Sequence, residues 1–193
     1  MIRARGLERR FGAKRVLGGL DLEVARGAFV VVTGANGSGK TTLLRLVAGL
    51  AAPTAGELEV DADRAQLGYI GHEALVYREL TALENLALYA RLYGVAEARE
   101  RIGMLLERFG LWDARNDRVG TYSRGMLQRL ALCRALLHEP TLLLLDEPFS
   151  GLDAEGAELL DRELLERRGH ATFLVATHDP VRLSPLATGA VPL

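Results

Sequence analysis

Cysteine, lysine and long apolar runs are scarce among these 193 residues. The only cysteine, Cys133, rules out an internal disulfide and points to a reducing compartment. Its setting, Leu130-Ala131-Leu132-Cys133, suits a small buried hydrophobe better than a reactive thiol. Lysine stands only at Lys14 and Lys40, so arginine carries almost all the positive charge. The longest leucine run, Leu142 to Leu145, is far too short to cross a bilayer. The charged start, Met1-Ile2-Arg3-Ala4-Arg5, lacks the apolar stretch of a secretory signal. A formal net charge of −1 gives no bulk attraction for nucleic acid or anionic lipid. Apolar residues make up 49%, enough for a sizeable core in one domain with subdomains.

What is abundant is more informative. Gly34 to Thr42 reads GANGSGKTT, preceded by the apolar Phe29-Val30-Val31-Val32 and followed by the amphipathic Leu43 to Leu50. Strand, glycine-rich loop and helix in this order fit the pattern G-x-x-x-x-G-K-[ST]. Glycines let the backbone curl so that successive N–H groups face phosphate oxygens, and the helix adds its positive end. Gly34, Asn36, Gly37, Ser38, Gly39, Lys40, Thr41 and Thr42 are therefore candidate nucleotide-binding residues. Lys40 would reach the β- and γ-phosphates, and the Thr41 hydroxyl would hold Mg²⁺.

The first 33 residues read as β-rich, with Leu20, Leu22 and Val24 alternating against Asp21 and Glu23. Gly56 to Val60 and Gln66 to Ile70 read as further short strands. Thr81-Ala82-Leu83-Glu84 is a capping box that starts a helix running to about Tyr93, closed by Gly94. Ile102, Leu105, Leu106 and Phe109 share one helical face, closed by Gly110. A third helix starts after Ser123 and ends near Pro140. A strand then covers Thr141 to Leu145, a helix follows the cap Asp153 up to Gly169, and a last strand spans Thr172 to Ala176. Residues 1–76 and 137–193 thus read as a nucleotide-binding α/β core with a β-subdomain. Residues 77–136 read as an inserted helical subdomain, all within one domain, 1–193.

Leu142 to Leu145 is followed by Asp146-Glu147. A strand apolar on both faces belongs in a parallel sheet, and ligands gather beyond the carboxyl ends of such strands. Asp146 is therefore a candidate for the metal, and Glu147 for the general base that activates water.

GANGSGKTT, Tyr122-Ser123-Arg124-Gly125-Met126, LLLLDEP, Ser150-Gly151-Leu152-Asp153 and Thr177-His178 arrive in the order seen in ATP-binding-cassette (ABC) ATPases, and the chain resembles that family over nearly its whole length. The resemblance implies an α/β fold: a P-loop NTPase (RecA-like) core with an N-terminal antiparallel β-subdomain and an inserted α-helical subdomain. It implies ATP and Mg²⁺ as ligands, an ATP-dependent dimer of two copies, and membrane-spanning transporter subunits as partners. The chain would sit peripherally at the cytoplasmic face of the inner membrane.

Residue by residue, Glu147, His178 and Lys40 match the family's catalytic set, with His178 contacting the γ-phosphate and positioning Glu147. Ser123 and Gly125 match the signature that caps the γ-phosphate held by the opposite subunit. Asp153 resembles the residue that couples the two sites. Phe11 resembles the aromatic that stacks on adenine, with a place in the core as the competing reading. His72 stands where the family usually has a glutamine that contacts Mg²⁺. Tyr122-Ser123-Arg124-Gly125-Met126 departs from Leu-Ser-Gly-Gly-Gln, and Arg124 either points away or adds charge near the phosphates.

Tyr69-Ile70-Gly71-His72-Glu73 followed by Glu79-Leu80-Thr81-Ala82-Leu83-Glu84-Asn85-Leu86 is similar to the ATP-binding subunit of the haem exporter of cytochrome c maturation. The chain also ends soon after His178, as in a minimal subunit. An ATPase subunit of another small efflux transporter, or a soluble ABC ATPase, is the alternative. Against a nucleic-acid role, no basic stripe interleaved with aromatics is present.

Overall fold

Alternation of apolar and charged residues builds the first sheet. The computed structural model, which describes all 193 residues, starts with β1 (Ile2–Phe11) and β2 (Lys14–Val24), paired antiparallel. Leu22 and Val24 turn inward opposite Ala4 and Ile2, while Asp21 and Glu23 face solvent. Next come β3 (Phe29–Thr33), the helix α1 (Lys40–Val47) and β4 (Ala55–Val60). β4 joins the other edge of β1, giving the antiparallel order β2-β1-β4.

The second sheet is built from apolar runs instead of alternation. Its members are β3, β5 (Leu67–Ile70), β6 (Leu142–Asp146), β7 (Thr172–Ala176) and β8 (Gly189–Pro192), in the order β5-β6-β7-β3-β8. β6, β7, β3 and β8 run parallel to one another. Every residue of β6 and β7 is buried, as a strand covered on both faces must be. Phe29 and Phe173, opposite each other in register, stack with ring centroids 4.8 Å apart. Leu43, Leu44, Leu46 and Val47 of α1 join Leu142, Leu144 and Leu174 in one core cluster with the inward face of β1 and β2.

The chain forms two compact units. Apart from Ile70 at the end of β5, both sheets and α1 belong to the unit made of Met1–Tyr69, Thr141–Glu147 and Arg167–Leu193. A helical unit comprises Ile70–Pro140 and Pro148–Glu166. Its helices are α2 (Ala82–Tyr93), α3 (Ala98–Arg108), α4 (Arg124–Leu136) and α5 (Ala154–Arg167). The capping box of α2 is formed in both directions: Glu84 N–H donates to Thr81 Oγ1 at 3.2 Å, and Thr81 N–H donates to Glu84 Oε2 at 2.8 Å. Those bonds from Thr81 hold the Glu84 carboxyl below its ordinary pKa. Gly94 closes α2 in the left-handed conformation, φ +66°. Ile102, Leu105, Leu106 and Phe109 bury their shared face, and Arg108 of α3 ties down Glu163 and Glu166 of α5.

The sequence reading placed these elements closely but missed two. A short helix α6 (Pro180–Leu183) and the edge strand β8 lie in the tail after His178. β8 is four residues long and mostly exposed, so it carries neither a buried run nor a clean alternation.

Cys133 is fully buried and its Sγ lies 3.5 Å from Leu105 O. Burial pushes the thiol pKa well up, so little thiolate forms near neutral pH. The native protein should leave a disulfide-exchange chromophore unreacted over an hour at pH 8, and should release one equivalent when unfolded in denaturant. Full reaction of the folded chain would place Cys133 at the surface.

Candidate functional site

Three parallel strands deliver the candidate residues to one end of one sheet. Ala176 of β7 pairs with Asp146 of β6 on one side and with Val32 of β3 on the other. The glycine loop after β3, the two carboxylates at the end of β6 and Thr177-His178 after β7 therefore all leave the sheet at the same level.

The glycine loop follows from backbone demands. Gly34, Gly37 and Gly39 have φ of +149°, +81° and +115°, values a side chain rarely tolerates. A Cβ on Gly39 would also lie 2.8 Å from Leu17 Cδ2 and 3.1 Å from Val16 O, so only glycine fits there. Gly39 is the N-cap of α1 yet offers no side-chain cap, and no acidic residue stands in the first turn. The first-turn N–H groups are thus left for an anion that the chain itself does not supply. Lys40, the first residue of α1, is only 7% exposed. Its ammonium donates to Gly34 O at 2.7 Å and Ala35 O at 3.2 Å, which fixes the charge inside the curl of the loop. Ser38 Oγ is buried there without a hydrogen-bond partner. Asn36 and Thr41 are exposed, Thr42 half-buried.

Asp146, the last residue of β6, is 4% exposed. Glu147 follows with φ +48°, a left-handed conformation that costs a non-glycine residue about 1–2 kcal/mol. Its N–H donates to Ala176 O at 2.9 Å, which holds the strained peptide in place. The result is a carboxylate beside an imidazole: Glu147 Oε2 lies 2.8 Å from His178 Nδ1. His178 is set by the turn around Thr177, whose N–H donates to Val32 O at 3.2 Å and whose Oγ1 accepts from Asp179 N–H at 3.0 Å. An anion cradle with a fixed cation thus shares a sheet end with a carboxylate held on a histidine. Such a combination has the chemistry that polyphosphate binding and proton removal from a nucleophile require.

Phe11 is not a core residue; it is 53% exposed, and the Arg9 guanidinium lies 4.6 Å from its ring centroid. No three His, Cys, Asp or Glu side chains gather as a metal cage anywhere in the chain.

The helical unit holds His72, Ser123, Gly125 and Asp153. Ser123 Oγ caps α4 by accepting from Met126 N–H at 3.2 Å, and Asp153 Oδ1 caps α5 by accepting from Gly156 N–H at 2.8 Å. Arg124 turns to the Ser150-Gly151 turn, where its Nη2 donates to Ser150 Oγ at 2.8 Å. His72 is exposed at the start of the loop that leads into α2. Fully buried Asn85 pins that loop, accepting from Tyr77 N–H and donating to Tyr77 O and Thr81 O at 2.8–2.9 Å. Tyr89 donates its hydroxyl to Leu75 O at 2.6 Å. An asparagine on the apolar face of α2 was the available signal for this anchor, because a buried amide needs partners.

A sequence profile described as ABC transporter matches residues 17–150. The daunorubicin resistance ATP-binding protein DrrA3 of Streptomyces coeruleorubidus is 44% identical over 89% of this chain and 58% of its own length. The aliphatic sulfonates import ATP-binding protein SsuB of Burkholderia ambifaria is 41% identical over 90% of this chain and 55% of its own. The chain spans little more than half the length of these two relatives. NatA, an ABC transporter ATP-binding protein of Bacillus subtilis, is 38% identical over 82% of this chain and 70% of its own. Among solved structures, the ATP-binding subunit of an ABC transporter superposes with a TM-score of 0.91 at 31% identity, over all of this chain and 85% of its own. A dimeric ATP-binding cassette in a post-hydrolysis state bound to ADP and Pi superposes at 0.89 with 26% identity, over all of this chain and 94% of its own.

Proposed function

Because the chain belongs to the ABC transporter family of ATP-binding proteins, we propose that it is an ATP-binding and ATP-hydrolysing subunit that drives a separate membrane-spanning partner. The observation that carries this is the shared sheet end, with the Lys40 loop, Asp146 and the Glu147–His178 contact on neighbouring strands. No helix is long and apolar enough to cross a membrane, so the proposed attachment, at the cytoplasmic face of the inner membrane, runs through partner subunits. The likeness to a dimeric cassette supports an ATP-dependent dimer. In this reading residues 1–76 and 137–193 bind nucleotide, and 77–136 is the helical arm.

Lys40 and the loop N–H groups hold the β- and γ-phosphates, and Phe11 stacks on adenine. The donors for Mg²⁺ are the Thr41 hydroxyl and the Asp146 carboxylate, with His72 at the place of the usual glutamine. Two hard oxygens without a third acidic ligand suit a Mg²⁺ shared with substrate phosphates better than an all-protein cage. Held by these residues, the metal would supply positive charge against the phosphates. Glu147 takes the proton of the attacking water, and His178 keeps that carboxylate aimed while reaching for the γ-phosphate. Ser123 and Gly125 cap the γ-phosphate of the opposite subunit, and Asp153 couples the two sites. Leu75 and Tyr77, exposed just after His72, are the proposed contact for the membrane partner.

For the cargo we propose haem, exported for c-type cytochrome biogenesis. The support is Tyr69 to Glu73 and Glu79 to Leu86, which are similar to the haem-exporter subunit. A second reading, drug efflux, draws on the likeness to a protein named for daunorubicin resistance. Deleting the gene in its source cell and staining membranes for covalently bound haem decides between them. Loss of all c-type cytochromes, restored by the intact gene, is the expected outcome. Normal cytochromes with increased anthracycline sensitivity would transfer the cargo to the second reading.

A further inference from the structure

Arg124, which breaks the family's small-residue habit in the signature, has a defined place in the helical unit. Its guanidinium donates to Ser150 Oγ at 2.8 Å, and its side chain occupies the space where a Cβ on Gly151 would stand. A Cβ on Gly151 would come within 2.8 Å of both Arg124 Cγ and Nε, and the backbone there is left-handed, φ +81°. One helical turn along α4, Gln128 Nε2 donates to Pro148 O at 2.9 Å. Residues four apart share a helix face, so one face of α4 grips both ends of Pro148–Gly151. Between these two bonds the backbones close up: a Cβ on Gly125 would lie 3.0 Å from Gly151 O.

We propose that Arg124 is a positioning residue that clamps the Ser150-Gly151 turn to the start of α4. It thereby fixes where Asp153 and the signature Ser123 stand relative to each other. An ammonium could supply charge at this site but not the guanidinium's fixed fork, whose Nη2 reaches Ser150 Oγ while Nε lies beside Gly151. The clamp rests on the ATPase reading for its consequence and on the Arg124–Ser150 geometry alone for its existence.

The test uses the full chain and four variants: Arg124→Ala, Arg124→Lys, Ser150→Ala and the double alanine substitution. Hydrogen–deuterium exchange reads the clamp directly. Peptides covering 148–153 should exchange faster in either single alanine variant, and unchanged exchange would overturn the proposal. Turnover at saturating ATP should fall about tenfold in each single alanine variant, with the affinity of the monomer for ATP held within about twofold. The double variant should be no slower than the slower single one, as for two partners in one bond. Additive losses, or a loss in Arg124→Ala that Arg124→Lys fully restores while Ser150→Ala is silent, would instead make Arg124 a phosphate-side charge and refute the clamp. If the unaltered chain hydrolyses no ATP, the functional reading fails while the exchange data still decide the clamp.

Discussion

Lys40→Ala is expected to weaken ATP binding by at least about two orders of magnitude. Charge-assisted hydrogen bonds are worth about 1.5–3 kcal/mol each, and in the proposed site this ammonium serves two phosphates, so a loss of about 3 kcal/mol is the lower bound. The lysine does more than carry charge. It donates to Gly34 O and Ala35 O, and alanine leaves both carbonyls without that donor in a loop whose glycines resist few other conformations. Affinity should therefore fall through the lost cation and through a looser loop. Titration with a fluorescent ATP analogue checks this, and circular dichroism checks that the fold persists. Binding within threefold of the unaltered protein would remove the loop from the nucleotide site.

Glu147→Gln should stop turnover without stopping binding. A positioned general base contributes about 10²- to 10⁴-fold, and the amide cannot take a proton from water. Glutamine has the size of glutamate and can still bond to His178, and the left-handed backbone at φ +48° is no harder for it to hold. The exchange therefore removes basicity and leaves shape. In the proposed sandwich unhydrolysed ATP keeps two copies together, so light scattering should report twice the monomer mass in ATP and monomer in ADP. Turnover reduced less than fivefold would pass the role of base to another group. A persistent monomer under saturating ATP would count against the sandwich.

How far the sequence could be read depended on how local each determinant is. The capping box at Thr81 and the glycine closing α2 depend on neighbours in the chain, and both were legible. So were β6 and β7, because an uninterrupted apolar run has few uses outside a buried parallel strand. The glycine loop was legible because its spelling is dictated by backbone geometry. Less accessible was anything set by distant partners. The left-handed turn at Glu147 is held by Ala176, far along the chain, and glutamate itself gives no hint of it. Arg124 had two open orientations until Ser150 and Gly151 were seen beneath it. Phe11 could equally have been core or surface, since a single aromatic beside a glycine has no periodicity. The cargo resisted for another reason: relatives of similar identity carry names as different as daunorubicin resistance and aliphatic sulfonates import.

The common level of Val32, Asp146 and Ala176 across the sheet also dictates where this chain can change in length. One residue deleted from β7 would swing His178 to the opposite side of its strand and part it from Glu147, because successive side chains alternate. The joint between α2 and α3, which carries no such register, can grow or shrink without disturbing the chemistry. Variation among descendants of this sequence should therefore collect in the hinges of the helical unit, and the three central strands should keep their span.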